Sequence, residues 1–132
     1  MPTSLSIASG KGGVGKTTLA INLALMEAKV SNCLLLDADM GMANAHILLG
    51  LNPDLTIKDF FDGSCSLEKV ITNGPEKLMF MSGGSGLTEL LNIDKSKKLN
   101  FIRTFDQLSS KVNNLIVDVS AGAEDSSLSL LS

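Results

Sequence analysis

The chain has 132 residues, 11 Lys and Arg against 14 Asp and Glu, and two cysteines. That length allows one domain at most, and 44% hydrophobic with 19% charged residues is globular rather than disordered. With no Trp, no Tyr and five Phe, an aromatic platform for single-stranded nucleic acid is not expected, and a net charge of −3 leaves room only for a local basic patch.

The N-terminus, Met1-Pro2-Thr3-Ser4, lacks the basic stretch and apolar core of a secretory signal. No apolar run approaches the ~18–20 residues of a membrane-spanning helix. The chain therefore reads as cytoplasmic. Cys33 lies in an apolar run and reads as a small buried hydrophobe, while Cys65 follows Gly63-Ser64 and reads as a loop residue. Neither belongs to a CxxC pair, and a reducing cytosol does not favour a disulfide.

Residues 5–9 predict a short strand that runs into a glycine-rich loop, Gly10 to Gly15. A helical pattern follows from Thr17, with Leu19, Leu23, Met26 and Val30 on one stripe and Ala20 and Ala24 beside it. The continuous apolar run 33–36 predicts a strand buried on both faces, ending at Asp37-Ala38-Asp39. Short helices are expected at 43–49, 57–61 and 67–71. Turns fall at Asp62-Gly63 and Asn73-Gly74-Pro75. Residues 78–81 predict a third strand, leading into Ser82-Gly83-Gly84-Ser85-Gly86. Helices near 87–91 and 97–111 precede a fourth strand at 115–119, and 124–131 starts another helix. Strands alternating with helices imply an α/β fold with a doubly wound, mostly parallel sheet.

Gly10-Lys11-Gly12-Gly13-Val14-Gly15-Lys16-Thr17 matches the phosphate-loop pattern G-x-x-x-x-G-K-[ST] between a predicted strand and a predicted helix. Glycines let consecutive amide N–H groups curl inward toward an anion. The helix that follows adds its positive end. Lys16 supplies a charge for β- and γ-phosphates, and the Thr17 hydroxyl is placed to ligate Mg²⁺. Gly10 to Thr18 is thus the expected ATP-binding segment.

Lys11-Gly12-Gly13-Val14-Gly15-Lys16-Thr17-Thr18 resembles the deviant Walker A loop of MinD/ParA-type P-loop ATPases, which carry an additional lysine at the loop start, here Lys11. The resemblance implies a homodimer that forms with ATP and separates after hydrolysis, with Lys11 reaching across to the partner's phosphates. Asp39-Met40-Gly41-Met42-Ala43-Asn44 resembles the first switch of that family. By that match Asp39 would orient the attacking water and, with Thr17 and Asp118, belong to the metal set. Asp37 would sit closer to Lys16 and the Mg²⁺ shell. Lys11, Lys16 and Asp39 are the expected catalytic residues.

Asp118 ends the run Leu115-Ile116-Val117, the Walker B pattern of a buried strand pushing one carboxylate toward Mg²⁺. Val119-Ser120-Ala121-Gly122 resembles the second switch, although Val119 and Ser120 depart from the family's more frequent residues. His46, the single histidine, reads as surface or helix packing, and without a cysteine pair there is no zinc ligand set.

Residues 37–51, 60–71 and 81–86, together with Ala121-Gly122, resemble the flagellar branch of the family, FlhG/FleN, which controls flagellar number and placement. That branch implies a flagellar assembly or regulatory protein as partner and no direct nucleic-acid contact. Septum-placing MinD and ParA-type partition ATPases are the alternatives within the family, and a nucleotide-binding fragment without turnover is the alternative outside enzymes. Family members continue past Walker B through further strands and often an amphipathic membrane helix. Residues 1–132 are therefore expected to be a partial P-loop domain, with membrane contact at the inner face of the cell membrane confined to the missing C-terminal segment. An open sheet edge at residues 5–9, and with it a tendency to aggregate, follows from that expectation.

Overall fold

The computed structural model describes residues 3–9, 14–38, 49–83 and 94–120, with the backbone alone at 3–9, 14–18, 38, 109, 119 and 120. Strand β1 is Thr3–Ser9, followed by helix α1, Val14–Ala28, and strand β2, Cys33–Ala38. A short helix α2, Ile57–Phe61, and a 3₁₀ turn, Leu67–Val70, lead to β3, Thr72–Asn73, and β4, Leu78–Ser82. Helix α3, Lys95–Ser109, then feeds β5, Asn114–Ser120. Among the described residues these strands form one sheet in the order β1-β5-β2-β4-β3. The pairs β1·β5, β5·β2 and β2·β4 are parallel, and β3 is antiparallel to β4. The predicted mostly parallel α/β sheet is present, with β1 at one edge.

The strands are apolar on both sides because both faces are covered. Cys33, Leu35, Leu78, Phe80 and Ile116 pack with Ala20, Ile21, Ala24 and Ala28 of α1. Leu34, Leu36, Met81, Leu115 and Val117 face the other way, onto α2, the 3₁₀ turn and α3. That second layer is aromatic, with Phe61, Phe101 and Phe105 linked at centroid distances of 5.5 Å and Phe60 about their edge.

Local chemistry sets the helix starts. Asp59 Oδ2 accepts from the Thr56 N–H at 2.8 Å and closes the first turn of α2. Asp94 accepts from the Lys97 N–H at 3.1 Å and caps α3. Gly63 ends the α2 turn at φ +79, a conformation glycine adopts without a Cβ penalty.

Three expectations change. Helix α1 begins at Val14 rather than Thr17, because the loop's last residues already have helical backbone. Of its predicted stripe, Leu19 and Met26 are exposed, at 53% and 65%, Val30 is exposed past the helix end, and Leu23 is half-buried against the core, while the face of Ala20, Ala24 and Ala28 with Ile21 meets the sheet. Strand β3 falls partly within the predicted 73–75 turn; two residues carry no periodic signal. The helices expected at 87–91 and 124–131, most of that at 43–49, and His46 lie outside the described residues. Cys33 is buried and Cys65 half-buried in a loop, as read from the sequence.

Burial, and secondarily the Glu27 carboxylate, pushes the Cys33 thiol from 9.0 up to about 11. Below pH 9 both folded and unfolded chains keep this proton. Between about pH 9 and 11 the unfolded chain loses it first, so stability should fall by roughly 2–3 kcal/mol across that window and then level off. Urea midpoints against pH should show this loss, and Cys33→Val should lack that component. Glu76 stands at φ 55 in the turn before β4, where a Cβ is strained. Glu76→Gly should therefore raise the unfolding free energy by roughly 0.5–1 kcal/mol, measured by denaturant titration.

Candidate functional site

Parallel pairing brings the carboxyl ends of β1, β5, β2 and β4 to one edge of the sheet, where ligands of open α/β sheets bind. Strand β1 ends at Ser9 and α1 starts at Val14, so the start of α1 lies at this edge. The first-turn N–H groups of a helix have no partner within the helix and point outward. Here those groups belong to Val14, Gly15, Lys16 and Thr17, the second half of the phosphate-loop pattern. The earlier start of α1 therefore puts Lys16 and Thr17 in the first helical turn.

Register aligns the acids. Asp37 of β2 pairs with Asp118 of β5 and with Ser82 of β4, and Asp118 also pairs with Ile7 of β1. Side chains alternate along a strand. Since Cys33, Leu35, Phe80 and Ile116 face α1, the same parity puts Asp37, Ser82 and Asp118 on the α1 face, at its phosphate-loop end. All three are buried, Asp37 to 1% exposure and Asp118 to 0%. Oδ2 of Asp118 accepts no hydrogen bond, although the residue, like Asp37, is engaged in other interactions. The β2–β4 junction is closed by the Gly83 N–H donating to the Asp37 carbonyl at 2.8 Å.

Two buried carboxylates on neighbouring strands, beside a helix start carrying Lys16 and Thr17, suit a hard divalent cation. Mg²⁺ takes one or two protein carboxylates and completes its shell with waters and phosphate oxygens. No group of three or more acidic, Cys or His residues able to hold a metal occurs among the described residues, and a site of this kind needs none. A separate cleft of about 510 Å³ lies at the opposite end, against Asn32, Leu78 and Val112, and takes no part in this arrangement.

Of the sequence-predicted residues, Asp118 is at the site, and the backbone of Val14 to Thr18 forms the start of α1. Gly10 to Gly13, with Lys11, and Asp39 lie outside the described residues. Ser82 joins the row without a motif of its own; its signal in the sequence is a serine closing the apolar run Leu78 to Met81.

Residues 5–124 match the CobQ/CobB/MinD/ParA nucleotide binding domain. The antiactivator FleN of Pseudomonas aeruginosa is 37% identical over 128 residues, which cover 96% of this chain and 46% of FleN. The flagellum site-determining protein YlxH of Helicobacter pylori is 30% identical over 119 residues, covering 89% of this chain and 40% of YlxH. The cell division ATPase MinD of Pyrococcus furiosus shares the fold at a TM-score of 0.73 and 30% identity, covering 92% of this chain and 52% of that one. The chain belongs to the MinD/ParA family of P-loop nucleotide-binding domains. It spans about half the length of the curated relatives it matches, or less. No described helix is long and apolar enough to cross a membrane.

If the carboxylate row holds the cation, Asp37→Asn and Asp118→Asn should each weaken Mg²⁺-dependent ATP binding by about 10- to 100-fold. Binding measured in EDTA should change little. Titration of a fluorescent ATP analogue with and without Mg²⁺ separates the two, and an equal loss in both conditions would remove the row from the metal site.

Proposed function

We propose that the chain contains the nucleotide-binding part of an ATP-hydrolysing dimerisation switch of the MinD/ParA type, acting on flagellar number or placement. The observation that carries the reading is the buried register of Asp37 and Asp118 beside the helix start that bears Gly15-Lys16-Thr17. Similarity to FleN and YlxH supports the flagellar branch. The proposal concerns a full-length protein of that kind.

In this reading Gly10 to Thr18 wrap the phosphates with backbone N–H groups. Lys16 offsets charge on the β- and γ-phosphates, and Lys11 does the same for the nucleotide of a second copy. Thr17, Asp39 and Asp118 would hold Mg²⁺, with Asp37 near Lys16 and the outer shell of the ion. When bound, the cation would neutralise charge developing on the phosphate oxygens during transfer. Asp39 orients the water to which the γ-phosphoryl passes, giving ADP and phosphate. Two ATP molecules face to face repel one another. A lysine delivered from the opposite subunit lowers that repulsion, so dimerisation depends on the intact triphosphate.

Calorimetry and light scattering on the full-length protein test these roles. Lys16→Ala should abolish ATP binding. Lys11→Ala should retain nucleotide binding but lose the dimer and its hydrolysis. Asp39→Ala should accumulate an ATP-bound dimer, and normal turnover in that variant would remove its catalytic role. Flagellar counts in cells carrying Lys16→Ala should change while septum position does not; the reverse would move the protein to the septum-placing branch.

A further inference from the structure

Helix α3 has a face that the fold does not use. Its core contacts run through Phe101 and Phe105, at 0% and 2% exposure. At 100° per residue, Lys95, Leu99 and Arg103 align on the opposite side, one turn apart. Leu99 is 61% exposed, and Lys95 and Arg103 are exposed on either side of it. Lys97 and Lys98 extend the positive charge around the first turn. Between Lys95 and Ser109 there are four Lys or Arg and one acid, Asp106, so α3 carries +3 in a chain of net charge −3. The remainder therefore carries −6.

This arrangement costs stability. The first turn of α3 holds no acidic residue and the last turn no basic one, so the lysines sit at the end of the helix dipole that repels them. Lys111 lies 3.9 Å from Glu68, beyond the far end of the helix. A lone exposed leucine is ordinary, but one ringed by cations on an otherwise acidic protein marks a place where an anionic surface with one apolar contact fits.

We propose that the Lys95–Leu99–Arg103 face of α3 docks an acidic protein segment whose apolar side chain seats on Leu99. The charge pattern selects this occupant. Asp106 follows one turn after Arg103, so the face runs from positive to negative along the helix and sets a direction that a uniformly anionic lipid surface would not read. One exposed leucine is also far short of the broad apolar face with which a helix enters a bilayer interface. No aromatic side chain lies on this face to stack bases. The partner's carboxylates meet Lys95, Lys98 and Arg103 and leave the Asp106 end unopposed. Because α3 covers the sheet face opposite α1, docking leaves the phosphate-loop end open.

Selection of a random 12-residue phage-displayed library on the intact protein tests this. The expected consensus is rich in Asp and Glu around a single Leu, Ile or Phe. A synthetic peptide of that consensus, followed by fluorescence anisotropy, should bind at least 10-fold more weakly to Leu99→Ser and to the Lys95→Glu/Arg103→Glu variant. Neither variant should melt markedly below the parent protein, since these side chains are exposed and Lys95→Glu removes a charge that the helix dipole repels, and ATP affinity should stay as in the parent because the face is remote from the carboxylate row. Enriched peptides that are not acidic, or that bind the variants equally well, would overturn the proposal. So would phosphatidylglycerol vesicles or single-stranded DNA binding in a Leu99-dependent way while no acidic peptide is selected.

Discussion

Asp37 and Asp118 occupy one register position on adjacent strands, both buried. Strands lie ~4.8 Å apart, and two like charges at about that distance repel by roughly 3 kcal/mol at an effective dielectric of 20. A fold that keeps such a pair ionised needs positive charge beside it; otherwise one of the two holds a proton. The topology sets the position of the pair by inserting β5 between β1 and β2, which puts Asp118 between the strand that leads into the phosphate-loop segment and the strand that carries Asp37. The remaining elements hold those three strands in register and bring the start of α1 over the same edge.

The two layers around the sheet do this with different residues. On the α1 side the contact is made by Ala20, Ala24 and Ala28 with Ile21, which keeps the helix close to the strands. On the other side Phe61, Phe101 and Phe105 pack between α2, α3 and the sheet. That layer bears no site residue, and its task is to press Leu34, Leu36, Leu115 and Val117 from behind, so that β2 and β5 stay paired.

Charge is distributed with the same division. The end of the sheet beside the start of α1 carries the buried acids Asp37 and Asp118. The α3 face gathers cations with little opposite charge on its own helix. Helix α3 runs into β5 through a short connection at residues 110–113, so the basic face and Asp118 are joined by one continuous stretch of chain.

Much of this was legible before any coordinates. Apolar runs bounded by glycine or acid marked β2, β4 and β5, and the spacing of Gly10, Gly15, Lys16 and Thr17 marked the phosphate loop, because backbone curvature and anion binding demand those residue types locally. Asp118 followed from its place at the end of an apolar strand. Other features depend on which strand lies beside which. That Asp37, Asp118 and Ser82 share a row depends on pairing between residues 33–38, 78–82 and 114–120, which no local pattern specifies. Strand β3 exists because β4 offers it a partner. Leu19 and Met26 face outward while Leu23 of the same stripe packs against the core, because the face that meets the sheet is the one of Ala20, Ile21, Ala24 and Ala28. The chain by itself determined the phosphate-binding loop, the strands and the acids at their ends, for these rest on the chemistry of neighbouring residues. Only the tertiary structure decided the strand order, the carboxylate row and which face of each helix meets solvent, because these rest on contacts between residues far apart along the chain.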